Sequence, residues 1–232
     1  MLTGIAPITI ELENVVNLYH ITRGKNQDDF YEAPLSYRRW TDPANVIELH
    51  IKRDDMQYKM EIYTDGIKNE KGVGSGLATF TEGSLTHPLR YKLAEKCCNN
   101  QAEQLAIVKA LKKLRKMQTT QRSHRTAAIH TDSRITLEAI ANPRNHQSLV
   151  ESIRKEIRIL EEDEWIVHFA WVKAHDNNPG NELADLLAKE AACDNSLQTT
   201  YHKYPKSAVT SEPKCLGIQK WQSECDNTNN GA

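Results

Sequence analysis

Three strand-like runs stand in immediate succession: KMEIYTD from Lys59, GVGSGLATF from Gly72 and SLTHPLRYKL from Ser84. The turns between them are too short for a crossover, so the runs pair antiparallel. Then the pattern changes. Asn100 to Met117 is helical, with Ile107, Ala110, Leu111, Leu114 and Met117 in one apolar stripe. RTAAIHTDS is a strand, SRITLEAIAN a short helix that stops before Pro143, and HQSLVESIRKEIRILEED a longer helix. EWIVHFAWVKAH is a strand with Trp165, Val167, Phe169 and Trp171 on one face, and NELADLLAKEAA is the last helix. Strands separated by helices return parallel through right-handed crossovers. The expectation is an α/β fold, a mixed sheet with helices on both faces. Gly72, Gly74 and Gly76 leave one strand face bare for another backbone to approach. Ala188 and Ala192 share a helix face with Asp185 and suit such an approach, with Leu183, Leu186 and Leu187 as neighbouring core.

The flanks differ in texture. Residues 1–58 carry a helical pattern at Leu12, Val15, Val16 and Tyr19, closing near Gly24, then a polar stretch with Pro34 and Pro43. They are expected to be an extension or connector, residues 59–195 the folded domain, and residues 196–232 a polar tail. Net charge is -1, with 30 basic and 31 acidic side chains, so any nucleic acid must be met by local clusters. Lys109, Lys112, Lys113, Arg115 and Lys116 could supply one such cluster, though they read more readily as a solvated helix face. Five cysteines without a CxxC pair argue against a zinc site and for a reducing, intracellular setting, nuclear or cytoplasmic. The N-terminus lacks a basic start and is broken by Pro7, Glu11 and Glu13, so neither a signal peptide nor a membrane span is expected.

The chemistry gathers on carboxylates at strand and helix ends. IYTDG delivers Asp65 and IHTDS delivers Asp132, each where a strand stops. Asp before Gly66 is also a common turn starter, and Asp132 or Ser133 is also a suitable helix cap. Glu103 fits a capping box with Asn100, yet it begins the apolar stripe of its helix, where an unpaired carboxylate is costly. Asp185 suits a helix N-terminus on dipole grounds alone. His175 begins the loop HDNNPGNE and is by itself an ordinary loop histidine. None of these bland readings predicts all four carboxylates at one end of one sheet. Carboxylates gathered there would repel, and hard divalent cations resolve the repulsion.

YTDG, NNQAE, HTDSR and WVKAHDNNPGNELAD, in that order, resemble the type 1 ribonuclease H domain. GVGSGLATF and NNQAEQLAIVKAL are similar to the ribonuclease H at the carboxyl end of non-LTR retrotransposon reverse transcriptases. The resemblance covers residues 59–195 and implies a central five-stranded mixed sheet. It implies two Mg²⁺ ions, with Mn²⁺ as the alternative, held by Asp65, Glu103, Asp132 and Asp185, with His175 moving protons or product. It implies hydrolysis of the RNA strand of an RNA/DNA hybrid, with Asn99, Asn100 and Gln101 at the 2′-hydroxyls; amides donate and accept as a 2′-hydroxyl demands. The implied partners are the hybrid and a reverse transcriptase domain in a parent element. No membrane is implied, and a monomer is expected. The sequence departs from the family pattern at Ile67, at Cys98, and at Asp176, Asn177 and Asn178 after His175. Two rivals stand beside this reading: a catalytically impaired, nucleic-acid-binding retrotransposon remnant, and a transposase or integrase. The helix glutamate after the third strand and the closing GNELAD speak against the second rival.

Overall fold

A computed structural model of the chain describes residues 8–23, 32, 49–52, 58–117, 125–174, 176–205 and six positions between 207 and 223. The chain divides into two compact units, residues 34–202 and residues 1–33 with 203–232. In the latter, helix α1 (Ile8–Arg23) buries Ile10 and leaves Leu12, Val15, Val16 and Tyr19 exposed.

The larger unit holds strands β1 (His50–Ile51), β2 (Met60–Asn69), β3 (Gly72–Thr81) and β4 (Ser84–Leu93), then helix α2 (Asn99–Lys116). Strand β5 (Thr126–Thr131), helices α3 (Arg134–Ala141) and α4 (Ser148–Glu162), strand β6 (Ile166–Trp171), helix α5 (Pro179–Cys193) and strand β7 (Thr199–Tyr201) complete it. They form one seven-stranded sheet in the order β1-β6-β5-β2-β3-β4-β7. The β2–β3–β4 meander is antiparallel, and β5 pairs parallel with β2, β6 with β5. The five expected strands are thus all present, and short parallel strands β1 and β7 extend the two edges. TTY in the polar tail joins the sheet because its β-branched and aromatic side chains suit an edge, and Ala94 N donates to Tyr201 O at 2.8 Å.

Helices α2 and α4 press their apolar stripes onto one face, where Ile62, Leu77, Ile107, Leu111, Ile129, Ile153 and Phe169 share one core. Helix α5 covers the other face over β2, β3 and β4. A Cβ on Gly74 would lie 2.3 Å from Ala188 O, and one on Gly76 would lie 2.1 Å from Ala184 O. The bare glycine face is therefore where a helix backbone rests. The helix meets it with Ala184, Ala188, Ala191 and Ala192, all fully buried. Leu186, expected in the core, is 51% exposed, because the face that α5 turns to the sheet is taken by Ala184, Leu187, Ala188 and Ala191, which leaves Leu186 on the outer side.

The expected end of the first strand also moves. Strand β2 runs on to Asn69, because its antiparallel ladder with β3 continues to Asn69↔Gly72. Its parallel ladder with β5 stops at Thr64↔Thr131. Asp65 therefore lies in mid-strand, at the point where β5 leaves its side.

Candidate metal centre

Asp65 and Asp132 each follow the last parallel pair, so adjacent strands carry them side by side. Both project to the α5 face, as successive side chains on a strand alternate. Glu103 comes from the opposite face. It reaches the pair because α2 crosses β2 at Gly66, where a Cβ would lie 2.2 Å from Glu103 N. Ser75, beside Gly66 in the ladder, donates its hydroxyl to Ala102 O at 2.7 Å and holds the same turn of α2 down. The result is a cluster in which one carboxylate oxygen from each of Asp65, Glu103 and Asp132 lies within 4.8 Å of the others.

The alternative uses of these residues fall away one by one. Helix α2 begins at Asn99 with Cys98 as N-cap, and Gln101, not Glu103, reaches back to Cys98 N at 3.0 Å. The Asn100–Glu103 capping box expected from the spacing is not formed. Ser133, not Asp132, caps α3, accepting from Thr136 N at 3.3 Å. Asp65 does accept from Gly66 N at 2.7 Å, but within a continuing strand rather than a turn.

The electrostatics are those of like charges confined together. Burial and the neighbouring Asp132 push the Asp65 carboxyl up to about 7. Burial, then Asp65 and Asp132, push Glu103 well above the ordinary carboxylate range. Glu103 is 4% exposed, and its Oε2 has no hydrogen-bond partner among the described residues. A buried carboxylate oxygen without a donor, facing two more carboxylates, fits an oxygen-ligated divalent cation. Asp65, Glu103 and Asp132 are the residues that would hold it.

Asp185 stands apart. It is close enough to raise the Asp65 carboxyl further, but it lies outside the 4.8 Å cluster and pairs with Lys189 Nζ at 2.5 Å. His175 lies outside the described residues. Asn99 and Asn100 are exposed in the first turn of α2, and Asn99 Oδ1 accepts from Lys68 N at 3.1 Å. Gln101, expected to face nucleic acid, is buried and engaged in capping, because the third helical position turns its side chain back onto the helix start. In the basic segment, Lys109 lies over the Tyr91 ring and Arg115 pairs with Glu156.

Three features escaped sequence reasoning. Trp171 Nε1 donates to Asp132 O at 3.0 Å, and the Arg134 guanidinium lies 3.7 Å from the indole ring centre. Tyr63 and His130, each two residues before a cluster aspartate, stack with centroids 4.2 Å apart. The Lys189–Asp185 pair was legible, being an i,i+4 pair on a helix. The two ring arrangements carry no local signal, since each joins residues far apart in the chain.

The ribonuclease H family model matches residues 57–193, more than half of the chain. This chain belongs to the ribonuclease H family. The enzyme class of that family is a hydrolase, and the sheet described above is the ribonuclease H-like fold. The chain is 30% identical over 161 residues to ribonuclease H of Saccharomyces cerevisiae, covering 57% of this chain and 45% of that protein. It is 29% identical over 161 residues to ribonuclease H of Treponema denticola, covering 57% of this chain and 96% of that protein. It thus spans less than half of the yeast relative and nearly all of the bacterial one. Among solved structures, LC11-RNase H1, isolated from compost, aligns at 22% identity with a TM-score of 0.46, covering 58% of this chain and 99% of that one.

Proposed function

We propose that this protein hydrolyses the RNA strand of RNA/DNA hybrids, leaving 5′-phosphate and 3′-hydroxyl ends. The observation that carries the reading is the convergence of Asp65, Glu103 and Asp132 from two strands and a helix within 4.8 Å. Two Mg²⁺ ions, with Mn²⁺ as the substitute, would supply activation of water and stabilisation of the leaving oxygen. In this reading Asp65, Glu103 and Asp132 hold the ions and Asp185 completes the set when Lys189 releases it. His175 moves protons or product from its loop. The exposed amides of Asn99 and Asn100 meet the 2′-hydroxyls of the RNA strand. The departure from a global basic field leaves the grip on the hybrid to local groups.

The resemblance of the motifs to non-LTR elements supports an origin in a retrotransposon polyprotein, with a reverse transcriptase domain as the ancestral neighbour. One observation favours the rival reading of an impaired remnant: Lys189 holds Asp185 in an ion pair. Cleavage of a labelled hybrid with Mg²⁺, with and without chelator, decides between them. Chelator-sensitive cleavage of the RNA strand is expected. Binding without cleavage by the intact protein overturns the proposal in favour of the remnant, and cleavage of duplex DNA but not of hybrid overturns it in favour of a transposase-like activity.

A further inference from the structure

The segment that carries β1 lies upstream of the family match, which begins at residue 57. It nonetheless enters the same sheet, as the edge strand next to β6. His50 and Ile51 pair with His168 and Phe169, and Lys52 N donates to Phe169 O at 2.8 Å. From there the Lys52 side chain spans the sheet to β2, placing Nζ 2.8 Å from Glu61 Oε1. The same oxygen lies 3.0 Å from His130 Nε2. His130 is buried and lies flat on Tyr63, with ring planes 13° apart. The Tyr63 ring lies against Gly180 in the first turn of α5, where a Cβ would come within 2.4 Å.

These contacts run in a line just beneath the carboxylates. Glu61 and Tyr63 share the face of Asp65 on β2, and His130 shares the face of Asp132 on β5. The stacked rings therefore form the last pair of side chains before the cluster on both strands. The line also reaches the start of α5, the helix that bears Asp185. The mutual repulsion of the gathered carboxylates tends to part β2 and β5 where their ladder ends at Thr64↔Thr131. A ring stack clamped from below opposes that parting. Glu61 is partly exposed and could turn to solvent; Lys52 is the group that holds it over His130.

We propose that Lys52 is a positioning residue for the metal centre: through Glu61 and the His130–Tyr63 stack it sets the spacing of Asp65 and Asp132. The catalytic unit then begins upstream of the family match. The proposal rests on the metal-centre reading above, and its test separates the two. Mg²⁺ alone is titrated calorimetrically into the full chain as wild type, Lys52→Met, Lys52→Arg and Asp65→Asn, and hybrid cleavage is followed against Mg²⁺ concentration. Partners that directly orient metal ligands change affinity by about 10–100-fold on removal, so a group one step further out should act more weakly. Lys52→Met is expected to weaken Mg²⁺ binding about threefold to tenfold, with cleavage at saturating Mg²⁺ within about twofold of wild type, and Lys52→Arg to restore the affinity. Unchanged Mg²⁺ affinity in Lys52→Met overturns the proposal, as does a loss of maximal cleavage with unchanged Mg²⁺ dependence, which would mark a purely structural strut. Should Lys52→Met not fold, Glu61→Gln carries the same expectation and the same refutation. Wild-type Mg²⁺ binding that Asp65→Asn abolishes, without hybrid cleavage, would refute the proposed substrate while leaving the Lys52 comparison decisive.

Discussion

Helices α2 and α5 both meet the sheet where side chains are missing, yet only one of them delivers a carboxylate into the cluster. Helix α2 touches β2 at a single glycine, Gly66, and Glu103 is the residue at the point of contact. Helix α5 lies along three glycines of β3, and the residues it places there are alanines and Leu187. Its Asp185 is carried to the side, where Lys189 takes it. A glycine beside a strand aspartate brings two carboxylates together; a glycine row one strand away only brings two backbones together. The first arrangement stores repulsion and the second stores packing.

The sharpest way to break this contrast is to remove charge from the α2 side. Asp65→Asn or Asp132→Asn is expected to lower hybrid cleavage by at least about a hundredfold while the fold persists. Undiminished cleavage by either purified, folded variant would sink the assignment of the centre. Gly66→Ala should push α2 away and cost about a hundredfold in rate, the scale of an ångström of misplacement. Circular dichroism would show the helices still formed.

The stored repulsion should also be visible in stability. Asp65 is raised from an ordinary 3.8 to about 7, so between those values the unfolded chain has lost a proton that the folded chain still holds. Unfolding is then favoured by rising pH. Stability in the absence of divalent ions should fall from about pH 4 to about pH 7, on the order of 3 kcal/mol from this group alone. Mg²⁺ should recover most of it, and in chelator at pH 8 Asp65→Asn should be more stable than wild type. Denaturant melts across pH, with and without Mg²⁺, check the sign.

On the α5 side the expected changes are smaller and of another kind. Gly74→Ala collides with Ala188 O and should cost about 1–3 kcal/mol of stability by overpacking. Cleavage per folded molecule should stay within about twofold, in contrast to Gly66→Ala. Lys189→Met should change stability by less than about 1 kcal/mol, since the lysine is half exposed. Releasing Asp185 should sharpen the apparent Mg²⁺ dependence by up to about threefold. A larger gain would mean that the Lys189 pair, not the placement of α5, is what keeps Asp185 out of the cluster.

Much of this was present in the order of residues. The meander followed by alternating helices and strands determined a mixed α/β sheet, because short turns force antiparallel pairs and helical crossovers force parallel ones. The apolar stripe of α2 determined that Glu103 is buried, since the carboxylate occupies the stripe's first position. The twin TD dipeptides determined which two strands carry acid. Sequence could not decide between cap, turn and ligand for any single carboxylate, because those roles share the same local spacing. That choice was made by register: Thr64↔Thr131 sets Asp65 beside Asp132, and Gly66 lets α2 close over them. The position of Asp185 and the Lys52–Glu61–His130 line were likewise tertiary decisions. Each depends on how closely a helix or an edge strand approaches the sheet, a distance set by side chains far away in the chain.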